Sequence, residues 1–194
     1  MRLIGLTGYA GSGKDTAALA LTDRGWVRAS FAAKVYEAAL AFNPLVEIEY
    51  NDKLNVFFVD ENPLPVRYFP LDEVVRAVGW DRAKREVPHV RQILQRMGDE
   101  VGREVLDPDI WVTIAMRSLE PAVDYVFTDV RYDNEAHAVR SEGGVIVQIR
   151  RPGVGPANNH PSESLPIADY DVVNDGDIAL LHMRLLRKVG HLAW

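Results

Sequence analysis

The sequence contains no cysteine, which excludes disulfides, thiolate metal sites and cysteine nucleophiles. It has no apolar run near the roughly 18 residues of a membrane span. The apolar start Met1-Arg2-Leu3-Ile4-Gly5-Leu6 is too short for a signal sequence, and glycine-rich sequence follows it. A cytoplasmic location and no membrane association are therefore expected. Basic excess is lacking too: 22 Lys and Arg stand against 28 Asp and Glu, a formal net charge of −6. Broad nucleic-acid binding usually needs a basic face, so stable nucleic-acid binding is not expected. A local basic pocket for a small anion stays compatible with this balance. Repeats and low-complexity segments are absent. What remains is 194 residues, 47% hydrophobic and 26% charged, which suits one soluble α/β domain with a full core.

Strand and helix signals alternate along the chain. Leu3–Thr7 reads as a buried strand, Lys14–Arg24 as a helix stopped by Gly25, and Trp26–Ser30 as a second strand. A helix over Ala32–Phe42 ends at Asn43-Pro44. Leu45–Pro70, punctuated by Pro63, Pro65 and Pro70, reads as an insertion with a strand or extended piece at Asn55–Asp60. Leu71–Val78 is a helix closed by Gly79. Val90, Ile93, Leu94, Met97, Val101 and Val105 follow the 3.6-residue period of an amphipathic helix through Leu106. A second stripe of that helix carries Arg91, Gln95, Gly98 and Gly102. Interior glycines cost about 1 kcal/mol each against alanine, so either close helix packing or a ligand must offset them. Asp107-Pro108 starts a helix to Leu119.

Strand Asp124–Asp129, helix Asn134–Ser141, strand Val145–Arg150, strand Tyr170–Val173 and helix Ile178–Val189 follow, with a Pro/Gly/Asn-rich loop at Arg151–Pro166. The alternation predicts a three-layer fold of about five parallel strands with helices on both faces. The expected layout is a core over 1–42 and 120–194, an acceptor-binding helical insertion over about 43–119, and a lid loop over about 150–168.

Gly8-Tyr9-Ala10-Gly11-Ser12-Gly13-Lys14 fits seven positions of the phosphate-loop pattern G-x-x-x-x-G-K-[ST], with a strand before and a helix after. Glycines let successive N–H groups turn inward onto phosphate oxygens, and the helix N-terminus adds partial positive charge. Gly8, Gly11, Ser12, Gly13, Lys14, Asp15 and Thr16 are thus the candidate ATP contacts, with Lys14 bridging the β- and γ-phosphates. The eighth position departs from the pattern: Asp15 replaces the hydroxyl that contacts Mg²⁺. Two readings stand, a carboxylate ligand for Mg²⁺ or a favourable charge in the first helical turn.

A phosphate loop alone does not separate kinases from GTPases, motors or transporters. The guanine signature Asn-Lys-x-Asp is missing; Asn51-Asp52-Lys53-Leu54 has the wrong order. Asp129, at the carboxyl end of a strand, faces the ligand crevice of an open α/β sheet. It is a candidate to order the water shell of Mg²⁺ or to accept a proton, or else is an ordinary turn aspartate. Arg131 either clamps an anionic acceptor or pairs with Glu135.

Gly-Lys-Asp-Thr in the loop, Arg91-Gln92-Ile93-Leu94-Gln95-Arg96-Met97-Gly98, Trp111, Asp129-Val130-Arg131-Tyr132-Asp133-Asn134-Glu135-Ala136 and Asn174-Asp175-Gly176 come in that order. Together they resemble the deoxynucleoside monophosphate kinases of bacteriophage type, within the P-loop nucleoside monophosphate kinase superfamily. The resemblance implies transfer of the γ-phosphoryl of ATP, with Mg²⁺, to a deoxynucleoside monophosphate. It places Ser30, Phe31, Arg91, Gln95 and Trp111 near the acceptor, although Trp111 also reads as core. It makes Arg150 and Arg151 the arginines of a lid that closes over the phosphates. Another small-molecule P-loop kinase, such as a dephospho-coenzyme A kinase, is the alternative. A nucleotide-dependent switch or DNA-packaging accessory ATPase is a third reading. His160 and Glu163 carry no trusted ligand spacing, the other histidines read as structural, and a homodimer is compatible with the chain's size.

Overall fold

Alternation of apolar residues along short strands, with alanine- and leucine-rich helices between them, sets the architecture of this chain. The computed structural model describes residues 1–49, 57, 65–156 and 165–193, with side chains as far as His191. In chain order the first elements are β1 (Leu3–Thr7), α1 (Lys14–Thr22), β2 (Val27–Ala29), α2 (Ala33–Phe42), β3 (Leu45–Glu49) and β4 (Val66–Pro70). Then come α3 (Leu71–Val78), α4 (Trp80–Glu86), α5 (Pro88–Gln95), a π-helical segment (Arg96–Leu106) and α6 (Ile110–Arg117). The chain finishes with β5 (Tyr125–Phe127), α7 (Asp133–Ser141), β6 (Val145–Arg150), β7 (Tyr170–Val173) and α8 (Ile178–Ala193). Packing divides it into two units, Met1–Ala33 with Val112–Trp194, and Lys34–Trp111.

The first unit is built on a parallel sheet of five strands in the order β2-β5-β1-β6-β7. Side chains alternate between its faces, as the two-residue repeat of a strand requires. Ile4, Leu6, Val126, Val147, Ile149 and Val172 pack with Ala17, Ala18 and Leu21 of α1 and Leu181, Leu185 and Val189 of α8. Leu3, Tyr125, Phe127 and Ile146 pack on the other face with Val112 and Ala115 of α6 and Ala136 and Val139 of α7. Helices thus cover both faces of a parallel sheet, as expected. Below it, Asp124 accepts from Arg2 N at 2.6 Å and Arg2 Nε at 2.9 Å, tying β1 to the entry of β5. No helix among the described residues is long and apolar enough to cross a membrane.

The second unit carries a strand pair that the expected helical insertion did not include. β3 and β4 form an antiparallel pair, Val46 opposite Phe69 and Ile48 opposite Arg67. Val46 and Ile48 point into a core of Ala39, Leu71, Val74, Ala83, Val87 and Val90. The extended piece expected at Asn55–Asp60 lies outside the described residues except for Phe57, which is buried. An additional helix, α4, follows Gly79, whose φ of +75° turns the chain between α3 and α4. The long helix expected over Val90–Leu106 is α-helical only to Gln95; the rest is π-helical. The helix expected from Pro108 begins at Ile110, after Asp107 Oδ1 accepts from Asp109 N at 2.7 Å.

Candidate active site

The glycine loop follows β1 and opens α1, and its shape is fixed by contacts a side chain would destroy. Gly8 and Gly13 have φ of +141° and +99°, which L side chains rarely adopt. A Cβ on Gly8 would also lie 2.8 Å from Ser12 Oγ, and one on Gly13 would overlap the Asn174 carboxamide. Ser12 N donates to Tyr9 O at 3.1 Å, closing the turn, and Ala17 N donates to Gly13 O at 2.8 Å, starting the helix. Lys14 folds back over the loop, its Nζ donating to Gly8 O at 2.6 Å and Tyr9 O at 2.9 Å. The hydroxyls of Ser12 and Thr7 are buried with no hydrogen-bond partner among the described residues. Such orphans each cost about 1–3 kcal/mol, and at a phosphate loop an anionic oxygen is the natural acceptor. Thr16 O takes a hydrogen bond from His182 Nε2 at 2.7 Å, which fixes that ring's tautomer.

Asp15, exposed in the first turn of α1, forms an ion pair with Arg28 of β2. Asp129 is likewise committed. Its carboxylate accepts from Ser30 Oγ at 2.6 Å, Phe31 N at 3.1 Å and Ala32 N at 2.9 Å. It therefore shapes the turn before α2. Phe31 is core, 1% exposed and stacked on Phe127 with ring centroids 4.3 Å apart. Arg131 does not form a side-chain pair with Glu135, as one reading had it. The buried Glu135 carboxylate instead accepts from the backbone N–H of Arg131 at 2.7 Å and of Tyr132 at 3.1 Å. The Arg131 side chain stays exposed.

Arg150 and Arg151 leave β6 beside the loop. Arg150 Nη2 pairs with Asp171 Oδ2 at 2.9 Å, and Arg151 Nη1 lies 3.5 Å from Gly11 O, long for a hydrogen bond. Of the lid expected over about 150–168, residues 157–164 lie outside the described residues, His160 and Glu163 among them. In the second unit Arg91 and Gln95 are exposed on α5. Trp111 is buried, its Nε1 donating to Gly98 O at 2.7 Å, and its ring fills the space over Gly102. Close packing of the indole thus explains Gly102, while Gly98 supplies only the backbone carbonyl that the indole N–H bonds.

A family model for deoxynucleotide monophosphate kinase matches residues 45–185. A protein of Acanthamoeba polyphaga mimivirus with a provisional deoxynucleotide monophosphate kinase name is 30% identical over 89% of this chain and 87% of its own length. The chain belongs to the deoxynucleotide monophosphate kinase family. A deoxynucleoside-5'-monophosphate kinase of Escherichia phage T5 is 29% identical, with 90% of each chain covered. Among solved structures, the dephospho-CoA kinase from Campylobacter jejuni is similar at TM-score 0.43 and 14% identity, covering 100% of this chain and 98% of that one.

For this kinase family member, the loop fits a nucleoside polyphosphate: orphaned hydroxyl, folded-back lysine and glycine cradle sit together. The carboxylates expected to hold Mg²⁺ do not fit a protein-built metal cage. Asp15 faces Arg28 and Asp129 faces three donors, and the described residues contain no cluster of three or more metal-ligating side chains. Two site residues escaped the sequence reading. Asn174 Nδ2 donates to Ser12 O at 2.9 Å, and its backbone N–H donates to Arg150 O at 2.6 Å. Asn174 belonged to a recognisable string, but no signal assigned it to the loop. Arg28, an isolated charge within a strand, gave no signal at all.

Proposed function

We propose that this chain transfers the γ-phosphoryl of ATP to a deoxynucleoside monophosphate, giving the diphosphate and ADP. The observation that carries this reading is the phosphate loop, in which Lys14 covers backbone carbonyls beside the buried, unpartnered Ser12 hydroxyl. On ATP entry Lys14 exchanges Gly8 O and Tyr9 O for β- and γ-phosphate oxygens, and Ser12 Oγ gains an acceptor. The N-terminus of α1 adds its partial charge beneath the phosphates. A phosphate oxygen of the acceptor then attacks the γ-phosphorus in line, and the β–γ bridging oxygen leaves with ADP. This chemistry asks the protein for positioning and charge neutralisation rather than for a covalent group. Mg²⁺, bound with the nucleotide, would supply further neutralisation of the phosphate charge.

Arg91 and Gln95 on α5 and Arg131 after β5 are the acceptor-side groups in this reading, and Arg150 and Arg151 the lid-side ones. Asp129 acts by holding the Ser30–Ala32 turn. The protein works in the cytoplasm, on small nucleotides rather than nucleic acid. Coupled ADP-release assays across the four deoxynucleoside monophosphates, dephospho-coenzyme A and a no-acceptor blank test this. ADP release stimulated by at least one deoxynucleoside monophosphate is the expected outcome. Stimulation by dephospho-coenzyme A alone, or the same rate in the blank, would overturn it.

A further inference from the structure

The arginine that pairs with Asp15 is placed like a group waiting for an anion. Arg28 lies in β2, whose register against β5 sets Val27 opposite Tyr125 and Ala29 opposite Phe127. A guanidinium carries five N–H donors in a rigid planar fork. In Arg28, Nε donates to Thr128 Oγ1 at 3.0 Å and Nη2 to Asp15 Oδ1. That uses two of the five; the other three have no acceptor among the described residues. Thr128 is 4% exposed, and its N–H donates to Ala29 O at 3.3 Å, so the anchor for Nε is itself fixed. The side chains of Arg28 and Asp15 are 55% and 69% exposed. An ion pair so exposed is weak and readily exchanged.

Asp15 directly follows Lys14, at the position where the phosphate-loop pattern has a hydroxyl. A carboxylate there would repel a polyphosphate unless another group neutralised it. Arg28 is that group. We propose that Arg28 contacts the γ-phosphoryl of the bound nucleoside triphosphate, held at the mouth of the phosphate loop by Thr128 and Asp15. This rests on triphosphate binding at the loop, as proposed above. Asp15 then serves as a tether: it keeps the fork extended before the nucleotide arrives. A phosphate, with more charge and two oxygens for the fork, competes well against a lone exposed carboxylate. No bond to Arg28 forms or breaks; it offsets charge on the γ-phosphoryl oxygens in addition to Lys14.

Isothermal titration of MgATP, MgADP and a deoxynucleoside monophosphate into wild type, R28Q, R28K, D15N and the R28Q/D15N double variant tests this. The R28Q change is expected to weaken ATP binding about tenfold more than ADP binding, leaving affinity for the monophosphate unchanged. R28K, which keeps the charge and loses the fork, should fall between, and it carries the test if R28Q fails to fold. The D15N change should reduce ATP affinity slightly in the wild-type background and not at all in the R28Q background. Equal losses for ATP and ADP, or a loss confined to the monophosphate, would overturn the contact. A Mg²⁺ requirement shifted by D15N in both backgrounds would make Asp15 a metal ligand and remove the tether. If the wild-type protein binds no ATP, the loop reading fails first, which is visible before any substitution is made.

Discussion

At Asn174 one side chain joins segments 162 residues apart in sequence. Its carboxamide holds Ser12 O and lies where a Cβ on Gly13 would go. Arg184 steadies the segment from α8, its Nη1 donating to Val173 O and to Asp175 Oδ1. The loop is therefore pre-shaped from the side as well as by its own glycines, which lowers the ordering cost of binding phosphate. Replacing Asn174 with Asp sets a carboxylate against a carbonyl oxygen and removes a part-buried bond. ATP affinity should fall about tenfold or more, with the fold retained in the circular dichroism spectrum, and titration calorimetry reads both N174D and the milder N174A. Lys14→Ala should remove acceptor-stimulated turnover in the coupled assay, because it deletes the ammonium that the proposed function sets against the β- and γ-phosphates. The glycine loop that carries Lys14 was legible because its spacing is local. Asn174 and Arg28 act through tertiary contacts, which spacing does not encode. For Asp129 the address at a strand end was legible, but the three donors that occupy it were not.

Within the second unit, helical periodicity was a correct guide as far as Gln95 and a wrong one beyond it. Val90 is buried and Ile93 and Leu94 pack on the core, as the period requires. Val101 and Val105, which the same period sends inward, are 44% and 76% exposed. The reason is the turn geometry: Asp107 N donates to Gly102 O, five residues back, so successive side chains leave the α-helical stripe. π-helical turns are rare, and an α-helical template cannot anticipate them. Trp111 explains why this segment carries Gly102, since an added Cβ there would sit 2.6 Å from Trp111 Cε2. A Gly102→Ala substitution should then lower stability by about 1–3 kcal/mol through overpacking, read as a lower urea midpoint with unchanged slope. Trp111→Phe, which strands Gly98 O but relieves the crowding, should partly rescue the alanine variant. Two independent, additive losses would refute the contact. The β3–β4 hairpin was missed for a different reason: the alternation of Val46, Glu47, Ile48 and Glu49 is only two buried residues long, and prolines obscured its partner strand.

For the molecule as a whole, the parallel sheet was legible because its central strands are short apolar runs set off by glycine turns or helix stops. Strand order was not, since β5 enters between β1 and β2 through a connection that contains the entire second unit. The closing of that long connection is marked by Asp124, which holds Arg2 across 122 residues. The Arg2 side-chain hydrogen bond lowers the Asp124 carboxyl below its ordinary value, against burial, which raises it. In the second unit Asp72 is lowered, first by its hydrogen bond from Asn43 and further by Arg76. Glu86 is raised by burial, but bonds from Arg85 and Arg82 more than offset this and leave it lowered. A carboxyl depressed in the folded state contributes stability that is complete above its unfolded value, about 3.9 for Asp and 4.3 for Glu. That contribution disappears as pH falls through the folded value. Both units should therefore lose stability on acidification below about pH 4, with little change between pH 5 and 7 from these groups. The Asp124→Asn variant isolates one of them: its melting temperature should lie below that of wild type at pH 7, and the gap should narrow steadily below about pH 4. A gap of constant size from pH 7 to pH 2 would mean that the Arg2–Asp124 contact stabilises the sheet through shape alone, without its charge.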